Sequence, residues 1–473
     1  MPELNYNVKL EEVTRILAVW SKRQITPLGK IVVIKSIVLS KFIHLFMVLP
    51  NPSPEWLKKL EKLFFHFLWK RTDKVARVQL VQDYAEGGLR MVHLDSFIKS
   101  MKLSWIRRLL ISESHAQWAQ LYDHLLGCPA LLFKFGDAYT KRIMKQIRNP
   151  FWMEVFEGLL KLRGIFNHDE AEILSHPLWY NSRIRVGRQA LCMEQWAARG
   201  LLEIGDLMNS SGRIMTYAEF KKKYSFSPMA THFYGLKCAI LNGYPELRGR
   251  TFARIRPSCP KYIYCLLNSE RGGRKAYGYL VKSIRKEQKY QEKWDWELGL
   301  ENSVDLWKQI NCEIRSLTGT PLRWLQYKII HRILGTNAFL YKVGLLDSPL
   351  CSFCNRRPES ISHLLWDCPV TAKVVDEVRQ WLGKIYGKTV HITGQEFILG
   401  KYRAEIPAFN LIMVVLKRYI YGQKLKLYKP AFAGFLRDLR MHYQLEYYIS
   451  KNNGSEELFV EKWSPLHELL QVE

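Results

Sequence analysis

Positions 351–368 hold Cys351, Cys354, His363 and Cys368 in the spacing C-x2-C-x8-H-x4-C. No other feature restricts the fold as tightly. Two cysteines separated by two residues form a tight turn that aims both sulfurs at one ion. A histidine and a cysteine at the start of a following helix close the tetrahedron, and Zn²⁺ accepts three thiolates and one imidazole. Four protein ligands leave no position for a reactive water, so the spacing predicts a structural Zn²⁺. Asn355-Arg356-Arg357-Pro358 supplies the turn after the first pair, and Leu364, Leu365 and Trp366 supply apolar cover. His331 stands apart from the quartet and reads as a surface or capping histidine. Cys259 and Cys265 have no partners at ligand spacing and read as buried thiols.

Helical patterns bracket this stretch. Leu322, Leu325, Ile329, Ile330 and Ile333 place an apolar stripe on one helix, which Gly335 ends. Thr336 caps a short helix ending at Gly344. Val374, Val375, Val378, Trp381 and Leu382 mark an amphipathic helix ended by Gly383. The tail from about 410 also reads helical, with Lys417, Arg418, Lys424, Lys426 and Lys429 as a basic segment.

Upstream, residues 9–22 read as a helix. Thr26-Pro27 reads as an N-cap followed by proline at the first helical position of a helix reaching Val48. Its charges Lys35, Lys41 and His44 exclude a membrane span, which needs about 20 apolar residues. Ser53-Pro54 opens a helix whose positions Trp56, Leu60, Phe64, Phe67 and Leu68 form a buried face. Gly87-Gly88 marks a turn, and Asp95 caps a helix bearing Lys99, Lys102, Arg107 and Arg108. The middle is the least informative. Asn149-Pro150 and Ser175-His176-Pro177 read as loops, the acidic run at 168–172 as a helix start, and Thr216 as a helix cap. From 248 to 289 basic residues, including Arg254, Arg256, Arg271, Arg274 and Lys275, alternate with Tyr262, Tyr264, Tyr277 and Tyr279. Two readings fit: a groove for single-stranded nucleic acid, where phosphates meet cations and bases stack on rings, or a surface β-ribbon with its tyrosines in the core.

Charge decides between partner classes. The chain has 473 residues with Lys plus Arg at 71 and Asp plus Glu at 44, a net charge of +27. A compact state with that excess repels itself and calls for an anionic partner, nucleic acid first and an anionic membrane surface second. Nine cysteines with no secretory segment argue for an intracellular protein, in cytoplasm or nucleus, without a disulfide framework.

The segment at 322–369, "LRWLQYKIIHRILGTNAFLYKVGLLDSPLCSFCNRRPESISHLLWDCP", resembles the zinc-binding segment near the C-terminus of reverse transcriptases of LINE-type non-LTR retrotransposons. The shared features are the helix before the quartet, the Thr-Asn start of the next helix, the Pro358-Glu359-Ser360 turn and "HLLWDC". Independently, 20–70 and 87–110 look like the thumb that follows the polymerase palm in the same family. The sequence departs from that family in its carboxylates. There is no Asp-Asp dipeptide to hold Mg²⁺ at a primer end, and no endonuclease signature follows Cys368. The thumb-like block starts near residue 10, which leaves no room for palm or fingers in this sequence.

The resemblance and the composition together predict a mostly α, multi-domain protein with a small Cys3His zinc-binding module and a minor β contribution in the middle. The expected divisions are a thumb-like region at 1–115, a basic middle at 116–300, a helical zinc-binding domain at 301–385 and a basic helical tail at 386–473. The expected function is non-catalytic binding of RNA and template–primer duplex, without membrane or small-molecule substrate. The resemblance assigns Lys30, Lys35, Lys99, Lys102, Arg107 and Arg108 to duplex backbone contact, and Arg323, Lys328 and Arg332 to RNA. These are phosphate contacts that position a strand without reading bases. The competing expectation is an inert truncated remnant, or a host protein-interaction module.

Overall fold

The computed structural model describes residues 2–70, 72–111, 130–167, 170–226, 228–252, 260–267, 272–301, 304–400 and 406–471. Helices dominate, and the sheet content among the described residues is one two-stranded antiparallel ribbon, Arg185–Val186 with Gln189–Ala190, in the middle of the chain. The chain divides into two compact units, each built from discontinuous stretches.

The first unit comprises Met1–Ile16, Ile37–Lys62 and Val92–Arg285. One core lies around the helices Leu94–Ile111 and Pro150–Phe166, with Leu103, Ile106, Phe156, Leu159 and Leu162 buried between them. Asn149 and Pro150 are the N-cap and first residue of the second of these helices, not a loop. The Asn149 side chain accepts from Phe151 N at 3.0 Å, and proline supplies the φ that a first helical turn needs. His93, not Asp95, caps the Leu94–Ile111 helix, its ring nitrogen 3.3 Å from Ser96 N. A second core gathers Trp179, Trp196, Phe220, Phe233 and Tyr244. The helix start expected at Thr216 stands there, and Thr216 and Glu219 form a reciprocal capping box. The tyrosine-rich stretch is helical, Lys261–Leu267 and Gly272–Lys282, so the ribbon reading of it fails.

The second unit comprises Leu17–Ser36, Leu63–Met91 and Lys286–Glu473. Its core is continuous from Trp294 to Leu470. At its centre runs the helix Phe409–Lys426, apolar on all sides for its first eight residues apart from Asn410. A helix with no solvent face is stable only as the middle of a core, and this one packs on the metal-site segment His363–Asp367 and on the helices Thr320–Ile330 and Phe432–Asn453. The expected boundary at 385 therefore falls inside one core, and those at 115 and 300 do not coincide with the units either. The helix Pro369–Tyr386 continues through Gly383 and stops at Gly387, which takes φ +60°. An interior glycine costs a helix only about 1 kcal/mol, less than the packing of Val378 and Leu382 contributes.

The helix expected from Pro27 to Val48 is interrupted. It runs Pro27–Val33, widens through a π-turn at Ile34–Val38, and restarts at Ser40. The helix expected over 9–22 begins at Pro2 and ends at Ser21. Among the described residues no single helix is long and apolar enough to cross a membrane.

Candidate metal centre

The four residues singled out by spacing come together. The ligand atoms of Cys351, Cys354, His363 and Cys368 all lie within 4.8 Å of one another and could hold a metal ion. Cys351 Sγ and Cys368 Sγ are 3.8 Å apart, and Cys354 Sγ and His363 Nε2 are 3.3 Å apart.

Local backbone produces this convergence. Leu350 and Pro358 pair as an antiparallel bridge, and Cys351 N donates to Arg357 O at 2.9 Å. Inside that bridge the chain reverses, with Asn355 at φ +55° and its N–H on Cys351 O at 2.9 Å. Asparagine tolerates the left-handed region, so the turn closes without glycine. The N–H of Phe353 points at Cys351 Sγ at 3.4 Å. The second pair uses a different device. His363–Asp367 is a π-turn, with Cys368 N donating to His363 O at 2.8 Å. Its wider winding sets residues five apart on one side, which is what an H-x4-C spacing needs. Cys368 is then the N-cap of Pro369–Tyr386.

Burial opposes ionisation of Cys354, but the N–H groups of Arg356 and Arg357 and the His363 ring overcome it and hold the thiol down at about 6. At Cys351 burial dominates and, with Cys368 alongside, pushes the thiol well up, against the pull of the Cys354 and Phe353 N–H groups. A bound cation reverses that balance, because a coordinating thiol is deprotonated by the ion's own charge. Leu364 and Leu365 seal the site from within. Trp366, half-buried, packs at a tilt on Phe397 at 5.7 Å and lies against Gly394, where an added Cβ would stand 2.9 Å from the indole nitrogen.

Glu359 and Lys424 organise the surroundings of the site, and the sequence reading passed over both roles. The Glu359 carboxylate is fully buried; Asn337 N and Ser352 N donate to it at 2.9 Å each, and Lys424 Nζ stands 3.0 Å away. Lys424 also donates to Gly335 O at 2.6 Å. One carboxylate thus ties the metal turn to the start of the Asn337–Lys342 helix and to the end of Phe409–Lys426. An acid in a Pro-Glu-Ser turn and a lysine 65 positions away carry no spacing signal (424 − 359 = 65).

The basic residues expected on a phosphate surface scatter into several situations. Lys30 and Lys102 are buried. Lys30 Nζ donates to Phe67 O at 2.9 Å and Leu68 O at 3.3 Å, and burial lowers its pKa. Lys102 pairs with Glu154 at 3.0 Å and donates to Leu49 O. Their ammonium groups answer internal acceptors, a correction to their assignment as backbone contacts. Lys417 and Lys424 of the expected basic tail are likewise internal; Lys417 donates to Gln326 Oε1 at 2.6 Å and Phe397 O at 2.8 Å. Lys99 pairs with Asp95 at 2.5 Å, and Arg332 with Glu297 at 2.5 Å. Arg107 is half-buried, and Lys328, half-buried, lies over the Tyr421 ring. Arg323 is half-buried, its Nε donating to Leu317 O at 2.6 Å. Lys35, Arg108, Arg274 and Lys275 are exposed, Lys275 over the half-exposed Tyr264 ring at 5.3 Å. Arg254, Arg256, Arg271 and Cys259 lie outside the described residues.

Tyr262 is a core residue and Tyr277 is half-buried; they receive bonds from Arg163 Nη2 at 3.0 Å and His93 N at 3.1 Å respectively. Tyr279 packs on Phe166. Cys265 is a buried thiol, as read. His331 is the C-cap of Thr320–Ile330, as the capping reading has it, but it is buried rather than on the surface, stacked on Tyr327 at 4.0 Å and tilted against Tyr290 at 4.2 Å. No protein-family model matches the chain.

Proposed function

We propose that this chain is a non-catalytic nucleic-acid-binding protein, derived from the C-terminal part of a LINE-type reverse transcriptase, in which a structural Zn²⁺ pins helices together. The net charge of +27 carries the reading. Exposed Arg356 and Arg357 on the metal turn and exposed Arg108, Arg274 and Lys275 elsewhere support it. Zinc fits the donor set. Two thiolates on a tetrahedral Zn²⁺ at about 2.3 Å stand about 3.8 Å apart, the separation of Cys351 and Cys368. With four protein ligands the ion's chemistry is structural.

The test is fluorescence anisotropy of the full chain with a structured RNA and a matched DNA duplex over a salt series. Tight binding with a steep log–log salt dependence supports the reading, because each neutralised phosphate releases counterions. Weak binding of both at low salt sinks it. A second reading, a protein-interaction module, is favoured by the exposed Phe339, Tyr341, Val343, Leu345 and Leu346 beside the metal turn; failure of the binding test promotes it.

A further inference from the structure

A pocket of about 340 Å³ opens within the second unit, lined by Leu28, Tyr84, Arg90, Asn311, Arg315 and Arg323, with Tyr327 and the Gly87-Gly88 turn at its back. It lies at the small end of the range of ligand pockets, about 300–1,000 Å³. None of its lining residues is acidic. Arg90 is committed to Asp83 at 2.6 Å. Arg315 and Arg323 have no carboxylate partner among the described residues. Arg323 uses its Nε on Leu317 O, which fixes the guanidinium and leaves its two terminal nitrogens available. Arg315 is exposed and lies over Tyr84 at 5.7 Å. Two uncompensated guanidiniums at the mouth of one small pocket match a phosphate.

Asn311 narrows the ligand further. Its side chain is 3% exposed and lines the same pocket. Its Nδ2 faces Ala85 O at 3.3 Å, which fixes the amide orientation and leaves Oδ1 buried with no donor. A buried acceptor without a donor is costly. The phosphate monoester dianion of a nucleotide has no proton to give, so the donor that Asn311 Oδ1 lacks comes from the base N–H or sugar O–H groups of its nucleoside.

We propose that this pocket seats one nucleotide of a bound RNA or DNA strand. Arg315 and Arg323 take its phosphate, and Asn311 Oδ1 accepts a hydrogen bond from its nucleoside. The inference rests on the nucleic-acid reading and adds to it a site with a preference for nucleotide over bare anion.

Calorimetric titration of the zinc-loaded full chain with AMP, CMP and inorganic phosphate tests it, alongside Arg315→Ala and the pocket-filling Leu28→Trp. Circular dichroism checks that both variants fold. The expected result is that AMP and CMP bind more tightly than inorganic phosphate and that either variant weakens them by about tenfold or more, Arg315→Ala by the loss of a charged hydrogen bond and Leu28→Trp by occupying the pocket. Phosphate binding as tightly as AMP, or nucleotide affinity unmoved in both variants, overturns the proposal. RNA anisotropy on the same samples separates the two readings. Tight RNA binding without any nucleotide binding removes the pocket and leaves the broader function standing. Arg315-dependent AMP binding without RNA binding removes the strand-borne nucleotide along with the nucleic-acid reading.

Discussion

Glu359 and Lys424 form an ion pair 3.0 Å long with side chains 0% and 6% exposed, one at the metal turn and the other near the end of the central helix. Breaking such a pair from one side leaves a buried charge without compensation, at a cost of about 3–5 kcal/mol. Lys424→Met is therefore expected to lower the urea midpoint far more than a surface lysine substitution does. The double variant Glu359→Gln/Lys424→Met regains part of the loss, because the amide that replaces the carboxylate is uncharged and still accepts one backbone N–H. A double variant no more stable than Lys424→Met would show that the pair itself contributes little.

Cys354→Ser removes one of four ligands from a site whose occupancy contributes on the order of 10 kcal/mol to local folding. The expected outcome is loss of bound zinc, measured by mass spectrometry of the metal, with new proteolytic cleavage between about 345 and 385. A strong chelator is expected to produce the same cleavage pattern in the unaltered chain. Unchanged zinc content and unchanged cleavage in the variant would remove the metal from the account.

His331 predicts an acid sensitivity. Burial between Tyr327 and Tyr290 pushes its pKa down to about 3 from 6.5. In that interval the unfolded chain binds the proton and the folded chain does not, so stability falls as pH drops. The contribution is fully present above 6.5 and is lost progressively towards about 3. His331→Phe keeps a ring in the stack and removes the proton site. Thermal melts of the variant should fall less steeply than those of the unaltered chain as pH is lowered from neutral into this interval. Parallel curves would assign the acid sensitivity to other groups.

Exposed and buried lysines should separate cleanly in binding assays. Replacing Arg274 and Lys275 with alanine is expected to reduce the magnitude of the log–log salt slope by about 1 per phosphate contact removed, with the melting temperature nearly unchanged. Lys102→Met is expected to act on stability, since the half-buried Glu154 loses its ion-pair partner. A full-strength salt slope in the Arg274→Ala/Lys275→Ala variant would place phosphate contact elsewhere.

The parts legible in the sequence are those written locally. The metal quartet, the Thr26-Pro27 start, the helix start at Thr216 and the apolar stripe from Leu322 to Ile330 each depend on residues a few positions apart, and each stands in the structure, although the helix bearing the stripe ends at Ile330 and leaves out Ile333 and the expected stop at Gly335. Features set by distant partners were not legible. Lysine is normally a surface residue, so nothing near Lys102 or Lys417 announces that carbonyls elsewhere in the chain will surround its ammonium. The same holds for His331, whose burial depends on Tyr290 and Gly87, remote in sequence. Gly383 misled in the opposite direction, because a glycine that ends a helix and one that a helix passes through look alike until Gly387 is seen in its left-handed conformation.

The helix Phe409–Lys426 packs directly on the π-turn that carries His363, and its Lys424 answers Glu359 beneath the metal turn. The cysteine stretch is therefore not a cassette. Cut at 386 and grafted onto another protein, it would carry the four ligands but face water with Leu364, Leu365, Val378 and a lone carboxylate. A zinc finger can be shuffled between genes because it brings its own small core. The cysteine stretch has its core on loan from the eighty residues or so that follow it, as about that much chain is what a helical domain needs to close, and the two are expected to be inherited, or lost, together.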